Sequence, residues 1–582
     1  MASIQFYRES NFKETPIGKI PKDWEIAKLK KIVKKIKAGG TPLTTIKEYW
    51  NGDIPFVKIE DISSSSKYLV KTGSSISAEG LKNSSAWMVP KNSLLLAMYG
   101  SLGELAINKI PVATNQAILG IIPRDEYETE FLYYWFSYFK PNWRRYAKPT
   151  TQANLTAQIV RNILVPFPSF KEQHGIVEVL SLVDLVIQKT DEIIAKTERL
   201  KKGLMQELLT KGLIFGFMFD TNIFDKVLDG KIDLPRGLKY YVTHIQFDEI
   251  QNMPDGKKER REKLLKLFRL IPKELIATEG TVLGISRLGM AKLTVKEDAE
   301  LYEKMLKRLE ELDKKAGKKK SIENQARDVL IALTCIKNCL TLVTNDENLK
   351  EVTQEFQGSA VTFKQFLRGE YREFKDTEIG RIPKEWKVAR LKDVAKKFIS
   401  GGTPSTKEPR YWNGDIPWIR SVHLSKHHIE ETMIEHYITK EGLENSASNV
   451  VPKGSLIVAT RVGIGKAAVN LIDVAINQDL TGILIDKSKL DPFFAVWYLL
   501  SPKISKLLES FGRGTTIKGI ALNYVKNLTI PLPSMMEQQK IAQILSTVDK
   551  RLEMERNEKE KLERIKQALM DLLLTGKIRL RV

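Results

Sequence analysis

The stretch Ile17-Gly18-Lys19-Ile20-Pro21-Lys22-Asp23-Trp24 returns in the same chain as Ile379-Gly380-Arg381-Ile382-Pro383-Lys384-Glu385-Trp386, displaced by 362 positions. Outward from it, the same displacement carries Gly39-Gly40-Thr41-Pro42 onto Gly401-Gly402-Thr403-Pro404, and Tyr49-Trp50-Asn51-Gly52-Asp53-Ile54-Pro55 onto Tyr411-Trp412-Asn413-Gly414-Asp415-Ile416-Pro417. Val89-Pro90-Lys91 and Asn115-Gln116 meet Val451-Pro452-Lys453 and Asn477-Gln478. After a shift of three, Thr150-Thr151 meets Thr515-Thr516, Pro166-Phe167-Pro168 meets Pro531-Leu532-Pro533, and Val183-Asp184 meets Val548-Asp549. A register kept over this length is a duplicated unit, and it sets the architecture before local propensity is consulted.

Each half opens with short β-type runs such as Ser93 to Met98 and Ser455 to Thr460, punctuated by Gly, Pro and Asn, and closes on one long helix. The helices begin after the Pro-x-Pro stops, where the apolar period changes. In the first, Ile176, Leu180, Val183, Ile187, Ile194, Leu204 and Leu208 keep a four-three rhythm, with Thr190, Thr197 and Lys201 at the remaining seam positions. In the second the rhythm is Ile541, Leu545, Val548, Leu552, Leu562, Leu569 and Leu573. A seam repeating every 3.5 residues lets two helices stay in contact along their length, so the pair is expected to pack together. About 40 residues at 1.5 Å each make a rod of about 60 Å. Two globular readers on such a spacer, related by a pseudo-twofold, would contact two separated stretches of one duplex.

The chain of 582 residues is too long for one ordinary core. The expected fold class is a multidomain α+β protein with mixed α/β reading domains of short strands. The expected boundaries are 1–168, 169–213 (helical), 214–369 (insert), 370–533 and 534–582 (helical). Lys and Arg number 93 against 71 Asp and Glu, and the formal charge of +22 suits a polyanionic partner better than a membrane. The two cysteines, Cys335 and Cys339, stand at helical i, i+4 spacing in an apolar run, which points to a packed helix in a reducing compartment. With no apolar stretch of transmembrane length and no apolar signal core, the expected location is cytoplasmic.

The duplicated motifs resemble the specificity subunit of type I restriction-modification enzymes: Ile-Gly-x-Ile-Pro-x-x-Trp, Gly-Gly-Thr-Pro, Tyr-Trp-x-x-Gly-x-Ile-Pro, Asn-Gln, and Pro-x-Pro before a helix that ends in Leu-Leu-Thr. The resemblance implies two target-recognition domains and an antiparallel coiled coil. It implies recognition of a bipartite site in double-stranded DNA, and assembly with two modification (methyltransferase) subunits and a restriction (translocase and endonuclease) subunit. It also implies that the chain itself transfers no methyl groups.

Phosphate contacts come from Lys and Arg, whereas base edges need forked donors and acceptors. Two readers of different sequences must differ at equivalent loops, which singles out Lys58 against Arg420, Tyr99 against Arg461, and Gln152 against Ile517, with Arg513 and Lys518 flanking the Thr515-Thr516 turn. Asn115, Gln116, Asn477 and Gln478 are shared by the halves and are expected to hold loops. The Gly-Gly-Thr-Pro segments are expected to be turns. Gly463-Ile464-Gly465-Lys466-Ala467 has the wrong spacing for a phosphate loop. Asp491-Pro492-Phe493-Phe494 lacks the second proline of an amino-methyltransferase site, and reads as proline in a first helical turn.

Residues of about 214 to 369 have no counterpart. Apolar runs Ile214 to Phe219, Tyr240 to Thr243 and Leu340 to Val343 alternate with helical patterns, as in an α/β layer around a parallel sheet. Acidic residues at the C-terminal ends of such strands gather in one crevice. Asp220, Glu249, Asp328 and Asp346 fall in the order of the acidic positions of PIN nuclease domains, which the insert resembles. That resemblance implies bound Mg²⁺ or Mn²⁺ and phosphodiester cleavage, with these four as metal ligands and catalytic residues. The plainer alternative is that Asp220 and Asp346 cap helices. The charged stretch Gly284 to Lys320 matches no motif, and His244 reads as a packed or surface histidine. Two other functions fit the same features: a PIN-type ribonuclease with flanking RNA-recognition domains, and a scaffold whose acidic cluster is inert.

Overall fold

Strands as apolar as Leu94–Ala97 and Leu456–Ala459 have no polar face to show to water, and both are buried on both sides. They lie at the centre of the sheets that organise the two halves. The computed structural model describes residues 5–99, 102–143, 155–235, 237–282, 284–287, 289–292, 295–512 and 519–581. They form two units, residues 1–196 with 552–582, and residues 197–551.

In the first unit a five-stranded sheet runs in the order Val33–Ala38, Ile118–Pro123, Leu94–Ala97, Leu105–Asn108, Tyr68–Leu69. A four-stranded sheet runs Ser74–Ile76, Trp50–Val57, Val112–Thr114, Met88–Val89. Helix Thr129–Phe139 covers the first sheet and brings Phe131, Tyr134 and Phe136 into one core with Leu94, Leu96 and Trp143. Met570, Leu573 and Leu574, from the end of helix Met535–Leu574, enter that core. Strand Gln5–Arg8 pairs antiparallel with Ile578–Arg581, the two ends of the described chain.

The second unit repeats both strand orders: Ala395–Ser400, Leu480–Ile485, Leu456–Ala459, Ala467–Asn470, His428–Ile429, and His436–Ile438, Trp412–Ile419, Val474–Ile476, Asn449–Val451. Here Met205, Leu208 and Leu209, from the end of helix Phe170–Lys211, enter the core beside Trp386, Phe494, Ile541 and Leu545. Each reading domain is thus completed by the tip of the long helix that follows the other one in the chain.

The long helices pair antiparallel. In the first unit Asp184 meets Lys566 and Asp191 meets Lys559, each at 2.7 Å, so numbers rise along one helix as they fall along the other. In the second unit Lys201 meets Asp549 at 2.5 Å. All ten expected positions of the first helix are withdrawn from full exposure, and Ile176, Leu180, Thr190 and Leu208 are buried. In the second helix the same rhythm also takes in Glu555, Lys559 and Lys566.

The insert belongs to the second unit and holds five parallel strands in the order Glu274–Leu275, Tyr240–Val242, Phe217–Phe219, Thr341–Val343, Ser359–Val361. Alternate side chains feed two cores: Met218, Leu342 and Ala360 pack with helix Ile322–Asn338, while Phe217, Phe219, Val343 and Val361 pack with helix Thr221–Gly230. Cys335 is buried in the first of these, and Cys339 ends helix Ile322–Asn338 with φ 53°. The charged stretch contains helix Lys296–Lys315, and His244 is buried.

Two expectations are corrected or sharpened here. Gly39 and Gly401 are required for closeness rather than for a left-handed turn: a Cβ at Gly39 would lie 1.8 Å from the Thr114 carbonyl oxygen, and one at Gly401 2.2 Å from that of Ile476. Asp491 caps helix Pro492–Leu499, its carboxylate accepting from the Phe494 N–H at 2.9 Å.

Candidate nucleic-acid interface and the acidic crevice of the insert

Close packing of the Gly-Gly-Thr-Pro segment brings the chemistry of each reading domain to one edge. In the first domain the Thr41 hydroxyl donates to Gln116 Oε1 at 2.6 Å, and the Tyr99 hydroxyl donates to the Gln116 carbonyl at 2.9 Å. Asn115 accepts from the Ala117 N–H at 3.0 Å. Lys58 follows strand Trp50–Val57 and holds its ammonium 5.8 Å from the centre of the Trp50 ring. In the second domain Thr403 donates to Gln478 at 2.5 Å and Asn477 donates to Asp479 at 2.9 Å. Arg461, in the place of Tyr99, is exposed, with its backbone N–H on the Asp479 carbonyl at 3.3 Å. Arg420, in the place of Lys58, is exposed and approaches His436 Nε2 at 3.2 Å.

The shared Asn and Gln therefore fasten the loops, and the differing residues stand on the fastened frame. Lys58, Tyr99, Arg420 and Arg461 are on these edges, while Gln152, Arg513 and Lys518 lie outside the described residues. His436 was missed in the sequence because its strand, His436–Ile438, comes beside Arg420 only through sheet pairing with Trp412–Ile419.

In the insert, Asp220 ends the central strand and Asp346 follows the neighbouring one, so parallel pairing brings them to the same sheet edge. Asp220 accepts from Thr344 at 2.7 Å and from Asn222 at 2.6 Å, and Glu249 accepts from the Thr221 hydroxyl. Burial pushes Asp220, Glu249 and Asp328 upward, Asp328 to about 8, and each of the three is raised further by a neighbouring carboxylate. Asp346 goes the other way: burial would raise it, but Lys318 and Lys320 hold it at about 2. The Lys320 ammonium lies 2.7 Å from Asp328 Oδ2 and 2.5 Å from Asp346 Oδ2.

Asp346 also caps helix Glu347–Glu355, accepting from the Asn348 N–H at 3.0 Å, whereas Asp220 makes no side-chain cap bond. The four carboxylates expected to ligate a metal thus share a crevice, yet among the described residues no group of three or more His, Cys, Asp or Glu is gathered closely enough to hold an ion. In this arrangement they do not fit Mg²⁺ or Mn²⁺, because an ammonium stands between two of them. The two lysines were missed because they sit in a Lys run whose ordinary reading is a solvated loop.

The type I restriction modification DNA specificity domain family matches residues 21–199 and 383–564, more than half of the chain. The chain belongs to this family. As a member of the DNA specificity family it is similar to the type I restriction enzyme MjaIX specificity subunit of Methanocaldococcus jannaschii, at 37% identity over 201 residues, 33% of this chain and 46% of that one. It is also similar to the putative type I restriction enzyme MjaX specificity subunit of the same organism, at 22% identity over 596 residues, 99% of each chain. Among solved structures, the type I restriction-modification S subunit from M. genitalium aligns with a TM-score of 0.41 and 13% identity, covering 95% of this chain and 96% of that one. The two family matches leave the insert uncovered. Among the described residues no helix is long and apolar enough to cross a membrane.

Proposed function

We propose that this chain is the DNA-reading subunit of a type I restriction-modification complex and that it recognises a bipartite site. The observation that carries the reading is the pair of equivalent edges with unlike chemistry, Lys58 and Tyr99 on one and Arg420 and Arg461 on the other, in a chain of net charge +22. A common frame with different polar side chains at equivalent positions is what two readers of two base sequences require. Selection of bound duplexes from a random DNA pool should return two short blocks separated by a fixed unspecified spacer. One contiguous block would overturn the reading. Preference for structured RNA would favour the ribonuclease alternative.

The same reading assigns the long helices to assembly. Leu182, Leu185, Val186 and Ile193 leave an exposed apolar stripe on helix Phe170–Lys211, outside the seam. Exposed apolar side chains at helical spacing suit a partner's helices. The partners would be two modification subunits, with a restriction subunit joining the complex.

A second reading concerns the insert, whose five-stranded parallel sheet with Asp220, Glu249, Asp328 and Asp346 toward one edge suits a PIN-like nuclease module, which would take Mg²⁺ or Mn²⁺ only once Lys320 has left the crevice. Cleavage of single-stranded RNA or DNA that is lost in Asp220→Asn plus Asp328→Asn would support it. Equal cleavage by both proteins would remove it.

A further inference from the structure

The link 316–321 joins helices Lys296–Lys315 and Ile322–Asn338 and folds over the crevice. Its Lys318 ammonium lies 2.8 Å from Asp346 Oδ1, and its Lys320 ammonium takes the other oxygen of Asp346 and one oxygen of Asp328. Both oxygens of Asp346 are therefore engaged by lysine, and the side chains of Asp328 and Asp346 are 13% and 9% exposed. A surface lysine loses little when one partner is removed, but one bridging two nearly buried carboxyl groups supplies, with Lys318, the positive charge that holds Asp346 ionised. A divalent ion on the same oxygens would have to share them with an ammonium of like sign, which Coulomb repulsion penalises at such distances in a partly buried site.

We infer that Lys320, backed by Lys318, is the crevice's resident cation: it occupies the place a divalent ion would take and keeps such ions out unless the link moves. The inference rests on the nuclease-like reading of the insert, since it says why that crevice stays closed. Gly317, left-handed at φ +68°, closes the end of helix Lys296–Lys315 with the Lys318 N–H on the Asp313 carbonyl at 2.9 Å, and Lys318 and Lys319 beyond it are exposed, so movement of the link would begin after that turn. Swinging Lys320 out would strip Asp346 of one of its two lysine partners and Asp328 of its ammonium donor, and an arriving cation would replace both contacts.

Mn²⁺ binding by the full chain, measured by isothermal titration calorimetry at neutral pH, tests this. Wild type and Lys320→Arg, which keeps the charge, should take up Mn²⁺ at least tenfold more weakly than Lys320→Met. The gain should vanish when Asp220→Asn and Asp328→Asn are added to Lys320→Met. Lys320→Gln serves the same comparison if Lys320→Met does not fold. Equally tight binding by wild type and Lys320→Met, lost in the aspartate variants, would overturn the role of the lysine and leave the metal reading standing. Absence of binding at this site in all the proteins would overturn both.

Discussion

Arg372 has 3% of its side chain exposed and donates to Glu385 at 2.5 Å and, through two nitrogens, to Glu537 at 2.9 and 3.0 Å. Glu537 also accepts from the Trp386 indole at 3.0 Å and from the Leu213 N–H at 2.8 Å. In the first unit Arg579 serves the same geometry with Glu172 and the Trp24 indole, but it is 13% exposed and keeps Glu9 and Asp23 as further partners. Loss of one partner costs most where the remaining charge is left buried and alone. Glu537→Gln should therefore destabilise the second unit by about 3 kcal/mol, and Glu172→Gln the first by roughly a third of that, in denaturant melts followed by tryptophan fluorescence. Asp328 makes a prediction in pH. Burial, with the charge of Asp220 added, lifts it to about 8 from 3.8, so folding favours the protonated acid. Its stabilising contribution is complete below about pH 4 and is lost as the pH rises through 8. Protection of amides in helix Ile322–Asn338, corrected for intrinsic exchange, should fall from pH 5 to 8, and Asp328→Asn should flatten that fall.

At the scale of elements, the long helices combine two strengths of contact. Leu545 is fully buried in the core of the second reading domain, and truncation to Ala should cost about 2–5 kcal/mol. Lys559 is about a third exposed where it meets Asp191, and Lys559→Ala should cost no more than ~1 kcal/mol. A reversed order in thermal melts would show that the seam is held by its ions. The seam could be read in the sequence because apolar residues announce their period. Lys559 and Lys566 belong to the same rhythm but could not be recognised as seam residues, since a lysine shows its role only when the carboxylate across the pair is known. Gly39 and Gly401 illustrate a related limit: a glycine pattern signals that a side chain is excluded, but not whether by φ or by a neighbour such as Thr114. Strand runs, the parallel insert sheet and its four acids follow from short-range pattern and order. The position of Lys320 depends on how the link 316–321 folds back, and no local rule contains that.

For the whole molecule, the placement of the insert yields the last prediction. Its two ends meet at one point, where Arg372 donates to the Lys211 carbonyl at 3.1 Å and to the Leu213 carbonyl at 3.5 Å. The chain thus leaves the second reading unit after Leu213 and re-enters it at Arg372, beside where it left. The insert encloses its own sheet and two cores, the Arg372 cluster lies outside residues 214–370, and side chains that cross the junction include Gln357, which donates to the Leu532 carbonyl at 3.1 Å, and Lys350, 2.7 Å from Glu373. A short link can therefore replace residues 214–370 with little strain, because bringing the ends together costs few residues of reach. Joining Leu213 to Tyr371 through a few Gly and Ser should leave both reading domains folded. All nine tryptophans lie outside residues 214–370, so their fluorescence and its melting profile report on the reading domains alone and should be unchanged. The shortened chain should select the same two DNA blocks with the same spacer, since the long helices and both edges are intact. A changed spacer with both blocks preserved would mean that the insert sets the geometry of reading. Loss of the block read by residues 370–533 alone would mean that the insert supports that domain's fold.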